Sequence, residues 1–247
     1  MRQRLLIAGL ILMALLRAGV LNSDGGYSTI LVPTIWGNTE ITWTVEDCPT
    51  VPFLLYFSGD GCWLAQVGST MKWTIHNVGN DVSGTFTLGN ASWDANDTEV
   101  SKDLTLGVWG HIPWLPGLVV SIGKQNLDEL NETAHDSAQR VTGNYLNGTM
   151  SSYSQTVQAG GKPYSCLVFE YHQDETGFGA PQETYLAYDT ATGLLVKANT
   201  SYSYLTSYKL VIELSSVYYP ASAMPIIIVG VTMFVIVVAV AYIMKWR

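Results

Sequence analysis

The amino-acid sequence predicts a mainly β fold: a curved antiparallel sheet, arranged as a half-barrel or a sandwich, with one amphipathic helix and a C-terminal transmembrane helix. Three observations predict this fold. Several short segments alternate between apolar and polar residues, one segment has apolar residues at helical spacing, and an uncharged apolar run lies near the C-terminal end. Strict alternation is typical of strands that bury one face, because successive side chains point to opposite sides of a sheet.

The first group of predicted strands is rich in tryptophan and threonine. In "ITWTV", Ile41, Trp43 and Val45 fall on one face and threonines fall on the other. "MKWTIH" repeats this pattern around Trp73, and "GTFTLG" repeats it around Phe86. We therefore expect these apolar side chains to lie inside the domain.

The second group predicts a meander of neighbouring antiparallel strands near the C-terminal end of the domain. Turn-forming residues separate four strand-like segments, which are "YSCLVFEYH", "ETYLAYD", "LLVKANTSYSYL" and "YKLVIELSSVYY". Gly, Pro, Asp and Asn between such segments favour tight reversals of the chain. Cys166 lies in the first segment, where we expect it to act as a small buried hydrophobic side chain rather than a reactive thiol.

One segment predicts a helix instead. "NLDELNETAHDSAQR", residues 126–140, lacks the alternation of a strand. Leu127, Leu130 and Ala134 recur at helical spacing within it. This pattern is typical of an amphipathic helix that packs one stripe against a core.

The two ends of the chain predict its membrane topology. Two arginines followed by the apolar run 5–16 favour a secretory signal peptide over residues 1–23, with an uncleaved N-terminal anchor as the alternative. Residues 221–244 carry no charge, and about 20 apolar residues suffice for a helix to cross a bilayer. The basic residues of the tail 245–247 predict a cytoplasmic tail. Residues 24–220 then form an extracellular, β-rich domain at the plasma membrane.

The charge of the predicted extracellular domain limits its partners. All 20 acidic residues but only seven of the 12 basic residues lie in it, which gives a formal net charge of −13. Such a surface repels the phosphate backbone of nucleic acids and anionic lipid headgroups. We therefore expect no nucleic-acid partner.

Two kinds of covalent modification are predicted outside the cell. An extracellular address favours a disulfide between Cys48 and Cys62, which flank an apolar stretch. It also makes N-glycosylation plausible at Asn-x-Ser/Thr triplets. Five such triplets occur, at Asn90, Asn96, Asn131, Asn147 and Asn199.

The stretch "GNASWDANDTEV", residues 89–100, predicts a polar loop with two competing uses. Asp94, Asp97 and Glu99 place oxygen ligands at short spacing, which weakly suggests a Ca²⁺ site. The central Gly and the distal Glu of an EF-hand are missing, so we favour a solvated or glycosylated loop without a metal. Trp93 in this loop is a candidate surface platform for sugars.

The apolar stretch "LGVWGHIPWLPGLVVSIG", residues 106–123, is interrupted by prolines that exclude a regular helix or central strand at its middle. One interpretation is a loop that seals the core; the other is a hydrophobic lip that lines a ligand cavity or contacts the membrane. On the second interpretation, the ligand-binding residues are Trp109, Ile112, Trp114, Leu115 and Leu118.

The sequence gives little indication of a zinc site or a catalytic base. The four histidines are scattered and form no pair with zinc-ligand spacing. His172 lies near Asp174 and Glu175, a combination that suits a general base, but a strand end running into a polar loop explains it equally well. We expect no enzymatic activity, with a hydrolase as a minor alternative.

One hairpin carries a resemblance to a known group. "AYDTATGLLVKANTSY" resembles the strand–turn–strand of lipoprotein-carrier-like half-barrel proteins. The matching residues are Tyr188, Asp189, Thr192, Gly193, Leu194, Leu195 and Lys197. The resemblance implies a half-barrel that folds around a helix and shelters lipid or another apolar ligand. Those proteins are generally periplasmic or lipid-anchored, whereas this chain has a predicted C-terminal span.

Two functional hypotheses follow. The first is non-catalytic binding of an apolar or lipid-like ligand in a curved sheet, and it predicts an apolar cavity. The alternative is a structural or adhesive glycosylated envelope component that meets neighbouring proteins or glycans. It predicts a filled core and a broad polar face.

Overall fold

The computed structural model describes most of the predicted extracellular domain. The described residues are 26–28, 38–48, 54–56, 62–64, 66–78, 82–96, 116–139, 147–174, 183–204 and 206–219. Their strands are β1 (Thr39–Asp47), β2 (Leu54–Tyr56), β3 (Cys62–Leu64), β4 (Thr70–Val78), β5 (Val82–Leu88), β6 (Ala91–Asn96), β7 (Gly148–Ala159), β8 (Lys162–Gln173), β9 (Glu183–Asp189), β10 (Leu195–Tyr204) and β11 (Thr206–Tyr218). The helix α1 spans Lys124–Gln139.

Nine of these strands form one antiparallel sheet in the order β6-β5-β4-β1-β11-β10-β9-β8-β7. The first and last of them, β1 and β11, pair with each other near the centre of the sheet. The short strands β2 and β3 form a separate two-stranded ladder. The prediction of a mainly β fold with one helix is confirmed, and the nine strands form one open sheet rather than two packed sheets.

The alternating sequence patterns fix which side of the sheet is buried. Ile41, Trp43 and Val45 of β1 are fully buried, while the threonines between them are only half-buried. Trp73 of β4 and Phe86 of β5 are fully buried opposite each other. We call the side that carries Trp43 and Trp73 the core face, and the opposite side the outer face.

The outer face is polar where it crosses β4, β5 and β6. Lys72 and Glu40 form an ion pair at 3.2 Å across β4 and β1. His76 Nε2 lies 2.9 Å from the hydroxyl of Thr85, which donates to the carboxylate of Asp94 at 3.2 Å. Polar side chains on this side leave the core face as the apolar side of the sheet.

Helix α1 packs on the core face near β7. Its buried positions Leu130, Ala134 and Ala138 recur at the helical spacing that the sequence predicts. On the same side, Asn131 accepts a hydrogen bond of 2.5 Å from the hydroxyl of Ser152 in β7. The predicted helix over 126–140 is therefore confirmed, with a start two residues earlier.

The described residues directly before the helix, 116–123, pack into the core. Leu118 and Val119 are fully buried, and the backbone of Val119 bridges to Leu194. The hydroxyl of buried Tyr188 donates to the carbonyl of Gly117 at 2.8 Å. Trp43 Nε1 donates to the carbonyl of Leu195 at 2.7 Å, so the polar groups of both aromatic side chains are satisfied inside the core.

The β9–β10 turn shows why its residue pattern forms a tight hairpin. The carboxylate of Asp189 accepts hydrogen bonds from the backbone N–H of Thr192 at 3.0 Å and from its hydroxyl at 2.5 Å. Gly193 has a φ of 77°, where glycine is favoured, and a Cβ there would collide with the carbonyl oxygen of Val120. The predicted hairpin is confirmed.

The sheet bends strongly at its β7 edge. Three strands separate β7 from β11, which corresponds to about 19 Å in a flat sheet. Nevertheless, Gly160 in the β7–β8 turn lies so close to β11 that a Cβ would collide with the carbonyl oxygen of Ser215. The hydroxyl of Tyr185 in β9 also reaches over β8 to Gln155 in β7 at 3.3 Å. The sheet therefore curls toward its outer face.

The membrane predictions concern other parts of the chain. The signal peptide (1–23), the transmembrane helix (221–244) and the cytoplasmic tail (245–247) lie outside the described residues. Within the described residues, no helix combines the length and the apolar composition needed to cross a bilayer.

Replacing Tyr188 by Phe tests the buried hydrogen bond to Gly117. The change removes the donor and leaves a buried carbonyl without it, so the free energy of unfolding should fall by about 1–3 kcal/mol. Urea unfolding followed by tryptophan fluorescence measures this. Tyr218→Phe is the matched control, because Tyr218 is 60% exposed. Equal effects of the two substitutions would contradict the assignment.

Candidate ligand-binding groove

The bend of the sheet creates a groove on the outer face between β7 and β11. The groove has a volume of about 620 Å³. Its wall and floor are mostly polar or charged, with two valines. The lining residues are Gln155, Thr156, Val157, Gln158, Glu170, His172, Glu183, Thr184, Tyr185, Lys197, Asn199, Lys209 and Val211.

Strand register brings these side chains together. Glu170 of β8 lies opposite Tyr185 of β9, and Tyr185 lies opposite Asn199 of β10. Asn199 in turn lies opposite Val211 of β11. Directly opposed residues share a face, so one row across four strands points into the groove. The meander pattern predicts these strands, but only the register and the bend show that their polar residues converge.

Two ion pairs hold the lysines at the β11 side of the groove. Lys197 lies 2.9 Å from Glu213, and Lys209 lies 3.4 Å from Asp47. All four side chains are between one quarter and about one half exposed, so each pair contributes little to stability. The ammonium groups therefore remain able to meet a ligand from the solvent side.

Tyr185 is the central hydroxyl of the groove. Burial, with the nearby Tyr153, Cys166 and Glu170 as smaller causes, raises its pKa to about 12. The phenol is therefore protonated at neutral pH and donates to Gln155. Together with the carboxylates and ammonium groups, the groove offers donors and acceptors for a hydrogen-bonding ligand.

Asn199 contributes a buried side-chain acceptor to the groove. Its Oδ1 is buried and has no hydrogen-bond partner within the described part of the chain. Buried side-chain oxygens normally accept at least one hydrogen bond. A ligand N–H or O–H in the groove would supply it.

The structure describes only part of the general base that the sequence suggests, which is His172 with Asp174 and Glu175. His172 lies on the exposed outer face opposite Glu183 of β9. The carboxylate of Asp174 instead accepts a hydrogen bond from the side chain of Asn147. Glu175 lies outside the described residues. A catalytic role for His172 stays a prediction.

Within the stretch 89–100, residues 91–96 form a strand rather than the loop that the composition predicts. Residues 91–96 form β6, because Ser92 and Asp94 face threonines of β5 across an antiparallel ladder. Asp97 and Glu99 lie outside the described residues. Within the residues that the structure describes, no group of three or more His, Cys, Asp or Glu side chains is arranged to hold a metal ion.

The placement of Trp93 corrects a second prediction. The Trp93 ring packs edge-on against Phe86, with ring centroids 5.4 Å apart, and the residue is only partly exposed. Trp93 and Phe86 share the core face because they oppose each other in β6 and β5. Trp93 is therefore a packing residue rather than an exposed platform for sugars.

Of the predicted lip residues, only Leu118 is described, and it is fully buried in the core. Trp109, Ile112, Trp114 and Leu115 lie outside the described residues. Their role in binding a ligand stays a prediction.

The predicted cysteine pair is also only partly described. Cys48 is half-buried at the end of β1, and Cys62 begins β3. The side chain of Cys62 lies outside what the structure describes. The disulfide stays a prediction, whereas the prediction that Cys166 is buried is confirmed.

The five glycosylation triplets occupy different environments. Asn90 is exposed in the β5–β6 turn. Asn131 and Asn147 are half-buried and hydrogen-bonded to Ser152 and Asp174. Asn199 lies on a central strand inside the groove, and the side chain of Asn96 is outside the described set.

Comparisons of the chain with models of protein families, with curated proteins and with solved structures each find no match. The resemblance of the β9–β10 hairpin to lipoprotein-carrier-like half-barrels therefore stays a prediction. The geometry of the groove is the basis for a functional proposal.

In a glycosylating host, we expect glycan at Asn90 and bare side chains at Asn199. Asn90 is exposed in a turn, whereas a glycan on Asn199 would have to fit within the groove between β9 and β11. Peptide mapping by mass spectrometry measures the occupancy of both. Ser92→Ala, which removes only the Asn90 triplet, is the control. A fully glycosylated Asn199 would contradict the described position of this side chain.

Cys166 should make the stability of the domain pH-dependent in the alkaline range. Burial, with the charge of Asp189 as a smaller cause, raises its pKa from 9.0 to about 12. Between these values the unfolded chain loses the thiol proton and the folded chain keeps it, so stability falls as pH rises. From pH ~8 to pH ~10.5, wild type should lose roughly 1–2 kcal/mol more than Cys166→Ala in urea unfolding. Parallel losses in both proteins would contradict the assignment.

Proposed function

We propose that this chain is a membrane-anchored protein of the cell surface that binds a ligand without catalysing a reaction. The charge-free apolar run 221–244 and the acidic extracellular domain support the location. The bent sheet supports the binding role, since concave surfaces with convergent polar groups are typical of ligand sites.

The ligand that we favour is rich in hydroxyl groups, as an envelope glycan is. One observation carries this proposal: the groove is lined by polar side chains from four different strands, namely Tyr185, Glu170, Asn199 and Lys209. Sugar hydroxyls donate and accept hydrogen bonds, so one ligand satisfies carboxylates, ammonium groups and the buried Oδ1 of Asn199 together. This is the adhesive or structural role in the envelope, in which the polar side of the domain meets neighbouring molecules.

A lipid-like ligand is the second candidate, and a separate observation supports it. Val157 and Val211 add apolar surface to the groove, so an amphipathic molecule could place its polar head among the charged groups. In this proposal the hydrophobic lip comes from the part of the apolar stretch 106–123 that precedes the buried Leu118, with Trp109, Ile112, Trp114 and Leu115. The polar majority of the lining is why we place this candidate second.

Binding of the full-length chain, solubilised in detergent, to an array of neutral and acidic oligosaccharides tests the proposal. Lys209→Ala removes an ammonium group from the groove and should weaken binding roughly 5-fold or more. Lys124→Ala removes the same charge from the exposed start of α1 and should leave binding unchanged. Equal effects of the two variants would indicate only non-specific attraction.

Native mass spectrometry before and after organic extraction separates the two ligands. A chain that binds no oligosaccharide but carries an apolar mass, lost on extraction, would replace the glycan proposal with the lipid proposal. A chain that shows neither would contradict both.

A further inference from the structure

Strand β7 presents an edge of unusual length. It has 12 residues and pairs with β8 on one side, and no described strand lies on its other side. The side chains of residues 153–156 are exposed. An edge strand carries unpaired backbone N–H and C=O groups, which form a template for pairing with another strand.

Strand β7 lacks the features that usually prevent such pairing. Its sequence "GTMSSYSQTVQA" contains no charged residue and no proline, and the whole stretch 141–161 is uncharged. The opposite edge strand, β6, has six residues and carries Asp94. Short length and an outward charge protect edges against pairing, so β6 is protected and β7 is not.

The charge of the domain favours a second copy of this chain as the partner. Two copies of a domain with a formal charge of −13 repel each other over most of their surfaces. At β7 that repulsion is smallest, because the side chains there are Ser, Thr, Tyr, Gln and Val. A basic partner, in contrast, would be drawn to the acidic surfaces away from β7.

We propose that β7 pairs antiparallel with β7 of a second copy, about a two-fold axis that passes near Ser154. Residues 152–156 of one copy then lie opposite residues 156–152 of the other. The two nine-stranded sheets become one continuous sheet of 18 strands. An isologous contact of this kind closes on itself and gives a dimer rather than a fibre.

The outer-face side chains suit this arrangement. Tyr153 is 38% exposed near the middle of β7. In the pair it lies opposite Gln155 of the second copy, where its ring gains cross-strand contacts. Like charges never oppose each other along the paired residues, because the strand has none. Gln155 and Thr156 also line the groove, so the dimer contact and the groove share these two residues.

Charged substitutions at Ser154, made in the full-length chain in detergent, test the proposal. Multi-angle light scattering with size-exclusion chromatography should give the mass of two chains for wild type. Ser154→Asp and Ser154→Lys each place like charges opposite each other at the axis. Each variant alone should dissociate roughly tenfold or more readily. An equimolar mixture of the two should regain the dimer, because opposite charges then meet.

With every variant made in a host without N-glycosylation, Ser92→Asp is the matched control, since it adds the same charge to an exposed position of the other edge strand, β6. This variant should remain a dimer. Circular dichroism confirms that each variant keeps its sheet. A monomeric wild type would overturn the proposal. So would a dimer that resists both Ser154 variants, or that Ser92→Asp disrupts equally.

Discussion

The pairing of β1 with β11 is the contact on which the rest of this structure depends. It joins the ladder β1-β4-β5-β6 to the meander β7–β11, and so turns two separate sheets into one. Buried Trp43 and Leu214 lie opposite each other across this joint, and Trp43 also bonds to the backbone of Leu195, 152 residues away. Such distant contacts form only after a long loop has closed, so folding of the domain should be slow.

The bend at the opposite end of the sheet links the two surfaces of functional interest. The close approach of Gly160 to Ser215 brings the end of β7 toward β11 and so forms one wall of the groove. The same strand carries the edge of the sheet at which no described strand pairs. Its inner side chains can therefore line a binding site while its backbone remains available for a second chain. A substitution in β7 has to be interpreted with both surfaces in mind.

The sequence predicted local structure better than it predicted how distant segments meet. The alternation around Trp43, Trp73 and Phe86 identified the core face, because the buried side of each strand is visible in the pattern of that strand alone.

Strand β7 went unrecognised, since its Ser, Thr and Gln residues are exposed and show no apolar period. The groove could not be foreseen for another reason: Glu170 and Lys209 line the same groove only because of the register and the bend. The polar composition of residues 91–96 predicted a loop, whereas pairing with β5 makes this segment a strand.

The register of the central pair has a mechanical consequence. Glu40, at the start of β1, lies opposite Tyr218, at the end of β11, so the chain enters and leaves the sheet side by side. A tensile force on these two points would act across the ladder and open its hydrogen bonds one after another. Strands loaded along their length would instead have to break many bonds at once. The domain should therefore yield at low force, and it would open from its middle outward.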